Sequence, residues 1–258
     1  MIGETLGGLR VDRMTTVKLH PTPRETFGPF TVRYYAPHAE TDRTILVLDD
    51  DLIGDAAISA CRARSIDGTI KGVKLALIGF NADAFATLHQ LRGEYLTHQE
   101  RDLGFVGMEK TGRGQTLQSF IMDEFLPDLG ERVSLLGYSL SGAFAINLFA
   151  GPDAFEALGL VSPTLWLNPS LEDRLCSAAT RLDRCSVALA VGECETEDAP
   201  GGGKSMFERL DELSEKLAPV MGDRFQYTLG SHDDHTSVIT STMDRVVTAL
   251  AAGSKTRG

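Results

Sequence analysis

Cysteine is scarce in this chain: the four, Cys61, Cys176, Cys185 and Cys194, show no C-x-x-C spacing and no paired histidines nearby. Neither a disulfide framework nor a zinc site is expected, and all four are read as reduced thiols. Long apolar runs are missing as well. Met1 to Arg13 carries glycines and charges instead of the apolar stretch of a signal peptide, and no later segment is long enough to span a bilayer. A cytoplasmic protein is expected. Positive charge is in deficit, with 25 Lys and Arg against 36 Asp and Glu, a formal net charge of -11 and a pI near 5.0. Nucleic acid and anionic membrane are polyanions that such a surface repels, so neither is expected as a partner. Repeats, low-complexity tracts and an interdomain linker are also absent. Gly201-Gly202-Gly203 reads as a flexible surface loop. Lys204-Ser205 after it resembles the end of a phosphate-binding loop, but Asp198 stands where that motif's first glycine belongs, so no nucleotide site is assigned.

What the chain does have is apolar material for one sizeable core: 42% of its 258 residues are hydrophobic. A single domain over 1–258 is expected, with 1–14 and 252–258 as flexible ends. Strand-like runs fall at Thr15–Leu19, Thr31–Tyr35, Thr44–Leu48, Val73–Gly79, Arg132–Leu136, Ala157–Val161, Ser186–Val191 and Arg224–Leu229. The later ones, such as Val187-Ala188-Leu189-Ala190-Val191, are continuously apolar, which suits parallel strands covered on both faces. Helical stripes separate them. Leu117, Phe120, Ile121 and Phe125 form one that stops at Pro127 and Gly130. Phe207, Leu210, Leu213 and Leu217 form a second, and Ile239, Met243, Val246, Val247 and Leu250 a third. Early strands on short turns followed by strands alternating with helices describe an open, mostly parallel α/β sheet of eight strands.

Chemistry concentrates after the fifth run. Leu135-Leu136-Gly137-Tyr138-Ser139-Leu140-Ser141-Gly142 leads an apolar strand through a sharp turn into a helix beginning near Leu140, the setting that exposes a serine as a nucleophile. Gly137 meets the small-residue requirement before Ser139; Ser141 replaces the usual glycine after it. A serine hydroxyl is almost wholly protonated at neutral pH and needs a base, itself best oriented by a carboxylate. The base is read as His235, in the loop Ser231-His232-Asp233-Asp234-His235 between the last strand and the last helix, with His232 as competitor. After the seventh run, Glu193, Glu195, Glu197 and Asp198 offer four carboxylates for one role, of which Glu195 is taken first. The chain order serine, acid, histidine is the order of one large class of serine hydrolases. Neither a metal site nor a cofactor is expected.

From Arg92 onward the chain resembles the esterase family of α/β-hydrolases that includes esterase D-like and enterochelin esterase-like enzymes. The resemblance rests on Arg92-Gly93-Glu94-Tyr95-Leu96-Thr97 ahead of the elbow, on Gly137 to Gly142, and most specifically on Ser162-Pro163-Thr164-Leu165-Trp166-Leu167-Asn168. Gly192-Glu193-Cys194-Glu195 is similar to the family's acid-bearing turn, and His235-Thr236-Ser237-Val238 to its histidine segment. It implies an α/β-hydrolase fold and a serine esterase acting on a small-molecule ester through an acyl-enzyme, with Ser139, His235 and Glu195 as the catalytic residues. Ester classes within it range from broad carboxylic esters to siderophores. An oxyanion hole made by the backbone N–H groups of Leu140 and Asp50 is implied too, although Asp50 replaces a glycine. The bland alternative is that Asp49 to Asp51 form a turn capping a helix at Leu52 to Arg64. Tyr138 and Trp166 are expected to line the pocket, Arg92 and Arg101 to contact an anionic substrate, and the stretch Asn81 to Thr116 to contribute a cover. An acyltransferase with the same triad and a silent binding protein on the same fold are the competing readings.

Overall fold

Alternation in the strands decides which side chains meet which helices. The computed structural model describes residues 10–12, 15–16, 20–104, 107–152, 154–181, 184–199 and 202–253. Its strands are β1 (Arg10–Asp12), β2 (Thr15–Thr16), β3 (Glu25–Phe27), β4 (Phe30–Tyr35), β5 (Arg43–Leu48), β6 (Val73–Phe80), β7 (Val133–Tyr138), β8 (Ala157–Val161), β9 (Ser186–Gly192) and β10 (Phe225–Gly230). The helices are α1 (Asp55–Ile66), α2 (Phe85–Tyr95), α3 (Gly114–Ser119), α4 (Ser139–Phe149), α5 (Ser170–Arg181), α6 (Met206–Met221) and α7 (Ser237–Ala252). Strands β3 to β10 form one sheet in the order β10-β9-β8-β7-β5-β6-β4-β3. The pairings β3 with β4 and β4 with β6 are antiparallel, and the rest are parallel.

Each parallel strand sends successive side chains to opposite faces. Leu46, Leu48, Leu135, Leu158, Leu160, Leu189 and Val191 join the larger core, with α4, α5 and α6 above them. Ile45, Val47, Leu136, Ala188 and Ala190 join the second core, under α1 and α7. Burying one such aliphatic side chain contributes about 1.5–3 kcal/mol, so the sheet is stabilised from both sides. The stripe Ile239, Met243, Val246, Val247 and Leu250 on α7 is buried in the second core, and Leu210, Leu213 and Leu217 on α6 in the first.

Two strand expectations change. Thr15 and Thr16 pair with β1 in a separate two-stranded sheet; the rest of that run, 17–19, lies outside the described residues, as do 1–9, 13–14 and 254–258 of the expected flexible ends. The outermost strand of the main sheet is instead β3, an exposed edge strand turned back onto β4 by Gly28-Pro29. Its three residues are too few and too exposed to show an apolar pattern. Helix geometry also departs from expectation beyond α3: the backbone widens into a π-helical turn, Phe120–Phe125, and ends in a 3-10 turn, Leu126–Asp128. Pro127 sits inside that last turn, where it donates no N–H to the ladder. Within the stretch 81–116, expected to contribute a cover, α2 packs on β6.

Candidate active site

Parallel strands carry their following loops to one rim of the sheet, and the residues singled out in the sequence lie on those loops. β7 runs two residues further than expected and passes directly into α4, so Ser139 is the first helical residue. Its φ is 52°, a left-handed conformation that costs a non-glycine residue roughly 1–2 kcal/mol. Gly137 makes the turn feasible, since a Cβ there would lie 2.5 Å from the carbonyl oxygen of Ser141. Ser141 in the usual glycine position is accommodated without a clash: it is fully buried, its Oγ accepts from the Tyr138 N–H at 3.0 Å and donates to the Tyr138 carbonyl at 2.8 Å.

Around Ser139 the contacts form a line. His235 Nε2 lies 3.0 Å from Ser139 Oγ, and His235 Nδ1 lies 2.6 Å from Glu195 Oε2. The other oxygen of Glu195 accepts from the Gly192 N–H at 2.8 Å and from the Ser162 hydroxyl. Both oxygens of the buried carboxylate thereby face a donor, which is what keeps a buried acid from carrying an unsatisfied charge. Of the four carboxylates on this turn, Glu195 alone is buried; Glu197 and Asp198 are exposed, and Glu193 accepts from the His232 N–H at 2.9 Å. That backbone bond holds the Glu193 carboxyl below its usual range. The His232 side chain is 91% exposed, with Nδ1 3.7 Å from Glu193 Oε2.

The loop that carries His235 is pinned against the acid turn. Cys194 N–H donates to the Asp233 carbonyl at 2.8 Å, and a Cβ on Gly192 would meet the same oxygen at 2.4 Å, so only glycine permits the approach. Asp234 Oδ1 accepts from the N–H groups of Thr236 and Ser237, both at 2.8 Å, which closes the turn and holds its carboxyl below the usual range. Tyr138 completes the support. Its hydroxyl donates to the His235 carbonyl at 2.7 Å and its ring lies 5.0 Å from the imidazole. The side chain is buried, which pushes its phenol up. Tyr138 is therefore a brace behind the histidine, a correction to its expected place on the pocket wall.

Two residues of the S-P-T-L-W segment that sequence reasoning gave no role stand beside the serine. Thr164 Oγ1 lies 3.2 Å from Ser139 Oγ, and its N–H donates to the Ser139 carbonyl at 3.0 Å. Ser162, at φ 43°, is the buried donor to Glu195. The signal was the motif itself, whose polar members had no account from periodicity. Trp166 is half-buried on the 3-10 turn Leu165–Leu167 and packs against the larger core.

The triple aspartate is neither a simple turn nor a cap. Asp49 has left-handed backbone, φ 70°, and makes no side-chain bond to the helix it precedes. Its carboxylate takes Arg92 instead, with Nε at 3.0 and 2.8 Å from the two oxygens and Nη2 at 2.8 Å. Arg92 is thus a second correction: it is 5% exposed and engaged by Asp49, so it offers no surface contact to a substrate. Asp50 turns its carboxylate to Arg33, at 2.6 to 2.9 Å, and to Arg24 at 2.9 Å. Burial pushes the carboxyls of Asp49 and Asp50 up, while their arginine partners act in the opposite direction. Asp51 accepts from the Phe80 N–H at 2.8 Å. Parallel pairing sets Val47 opposite Leu136, so the Asp49–Asp51 segment and the Ser139 elbow leave neighbouring strands at the same end of the sheet. Arg101 lines a cleft of about 260 Å³ beside His98 and Asn168, with Nη2 3.1 Å from Gln99 Oε1.

No protein-family model and no curated protein sequence matches the chain. Solved structures do. The BES protein of Bacillus cereus superposes with a TM-score of 0.68 at 17% identity, covering 97% of this chain and 98% of its own. Siderophore hydrolase EstB of Aspergillus nidulans gives 0.64 at 18% identity, over 94% and 96%. The enterobactin and salmochelin hydrolase IroE gives 0.65 at 11% identity, over 93% and 96%. With the strand order described above, these likenesses establish the α/β-hydrolase fold.

Proposed function

We propose that the protein is a serine esterase, a single α/β-hydrolase domain that cleaves a small carboxylic ester through an acyl-enzyme. One observation carries the reading: the unbroken hydrogen-bonded line from Ser139 Oγ through the His235 imidazole to the buried Glu195 carboxylate. In this reading His235 Nε2 takes the hydroxyl proton as Ser139 attacks the ester carbonyl, and later returns a proton to the departing alcohol oxygen. Water, deprotonated by the same imidazole, then releases the acid. Glu195 holds the Nδ1–H tautomer and offsets the charge of the imidazolium, the role a triad acid plays elsewhere. The N–H of Leu140, in the first turn of α4 where intrahelical acceptors are lacking, and the N–H of Asp50 are the proposed donors to the oxyanion. An aspartate at 50 is compatible with that role because its carboxylate is turned to Arg33 and Arg24.

Two of the structural neighbours are described as siderophore hydrolases and a third as an enterobactin and salmochelin hydrolase, and this favours siderophore esters as substrates to screen first. Trp166 is the proposed apolar wall near Ser139. The test is hydrolysis of p-nitrophenyl acetate by the wild type and by Ser139→Ala and His235→Ala. Each variant is expected to lose at least about 10³-fold in kcat while retaining its fold. Wild-type turnover by Ser139→Ala would reject the assignment.

A further inference from the structure

Resting on the esterase reading, we propose that Arg92 is a positioning residue: its ion pair with Asp49 fixes the peptide that presents the Asp50 N–H to the developing oxyanion. The carbonyl of Asp49 accepts from Leu52 N–H at 2.9 Å and from Ile53 N–H at 3.1 Å, both in the π-helical turn Asp50–Gly54 that leads into α1. A trans peptide points its N–H opposite to its C=O. The Asp50 N–H is therefore directed away from the helix that its own carbonyl partner engages, and among the described residues it meets no protein acceptor.

That orientation depends on Asp49 keeping φ 70° and ψ 48°, a conformation where glycine is at ease and aspartate is not. Arg92 supplies the constraint. It reaches across from α2 to grip both carboxylate oxygens, with Asp49 fully buried and Arg92 nearly so. Stability alone is a poor explanation for the pair, because two buried charges lose their hydration and an apolar pair of similar volume commonly serves as well. The planar guanidinium fork fixes a direction as well as a distance, which an ammonium or an apolar contact does not. The next two side chains remove slack on the far side: Asp50 is held by Arg33, and Asp51 by the Phe80 N–H.

The test uses Arg92→Met, Arg92→Lys and the double variant Asp49→Asn with Arg92→Met, which leaves no lone buried charge. Three readouts are taken with p-nitrophenyl acetate and a methyl trifluoromethyl ketone, which adds to the serine to form an oxyanion: kcat, KM and the ketone Ki. For Arg92→Met and the double variant, kcat is expected to fall about 10- to 100-fold with KM within about threefold, and the ketone Ki to rise by the same factor as kcat falls. Arg92→Lys is expected to recover part of both. A double variant that folds and keeps wild-type kcat and ketone Ki would overturn the proposal, whatever happens to its melting temperature. A wild type that neither turns over the ester nor binds the ketone would instead defeat the esterase reading itself.

Discussion

Ser139 and Ser141 divide a task that one residue type usually does alone. Ser139 takes a left-handed backbone at the joint of β7 and α4, and Ser141, in place of the usual glycine, bonds both the N–H and the carbonyl of Tyr138. Those two bonds cap the start of α4, and removing a helix-capping side chain costs about 1 kcal/mol. Ser141→Gly is accordingly expected to lower unfolding free energy by about that amount in urea titration while leaving p-nitrophenyl acetate turnover within about twofold, since glycine also fits the elbow. The substitution looked like a weakness in the sequence, where its hydrogen bonds are invisible. Asp50 followed the same course: a carboxylate at a proposed oxyanion donor reads as a liability until Arg33 and Arg24, from a distant strand and loop, are seen to engage it.

The loop between β10 and α7 shows how an element delivers a side chain. Asp234 closes the turn by accepting from Thr236 and Ser237, and those bonds hold its carboxyl below the ordinary aspartate range. A depressed acid contributes stability above its unfolded-state value and loses it as pH falls through the folded one. Wild type is therefore expected to melt above Asp234→Asn at neutral pH, and the gap is expected to narrow on acidification below the aspartate range; a gap independent of pH would contradict this. Largely apolar runs made β5 to β9 legible in the sequence, because buried parallel strands need no polar alternation. Edge strand β3 was not legible, since a short exposed strand is defined by its partner and carries no pattern of its own. The same division holds at the site. Ser139, Glu195 and His235 could be picked out as a group because the proposed chemistry would need those residue types in that chain order, whereas the neighbours Tyr138, Ser162 and Thr164 depend on contacts across the rim.

Across the whole molecule, the sheet separates two cores and gathers at one rim the loops that follow its parallel strands, and the fold is shared with structures only 11 to 18% identical in sequence. Burial divides the cysteines accordingly. Cys61 is wholly inside the second core, where burial pushes its thiol up to about 12, while Cys194 is exposed on the acid turn. Iodoacetamide at neutral pH is expected to modify Cys194 first in the native protein and Cys61 only on unfolding, as peptide mass mapping would read; early labelling of Cys61 would contradict the packing of α1 on the sheet. The proposed chemistry requires an activated serine at residue 139. The most direct measurement is reaction with a fluorophosphonate followed by mapping of the modified peptide. One adduct on Ser139, lost in His235→Ala and retained in His232→Ala, is the result expected. No adduct on the folded wild-type protein, or an adduct on another serine, would contradict it.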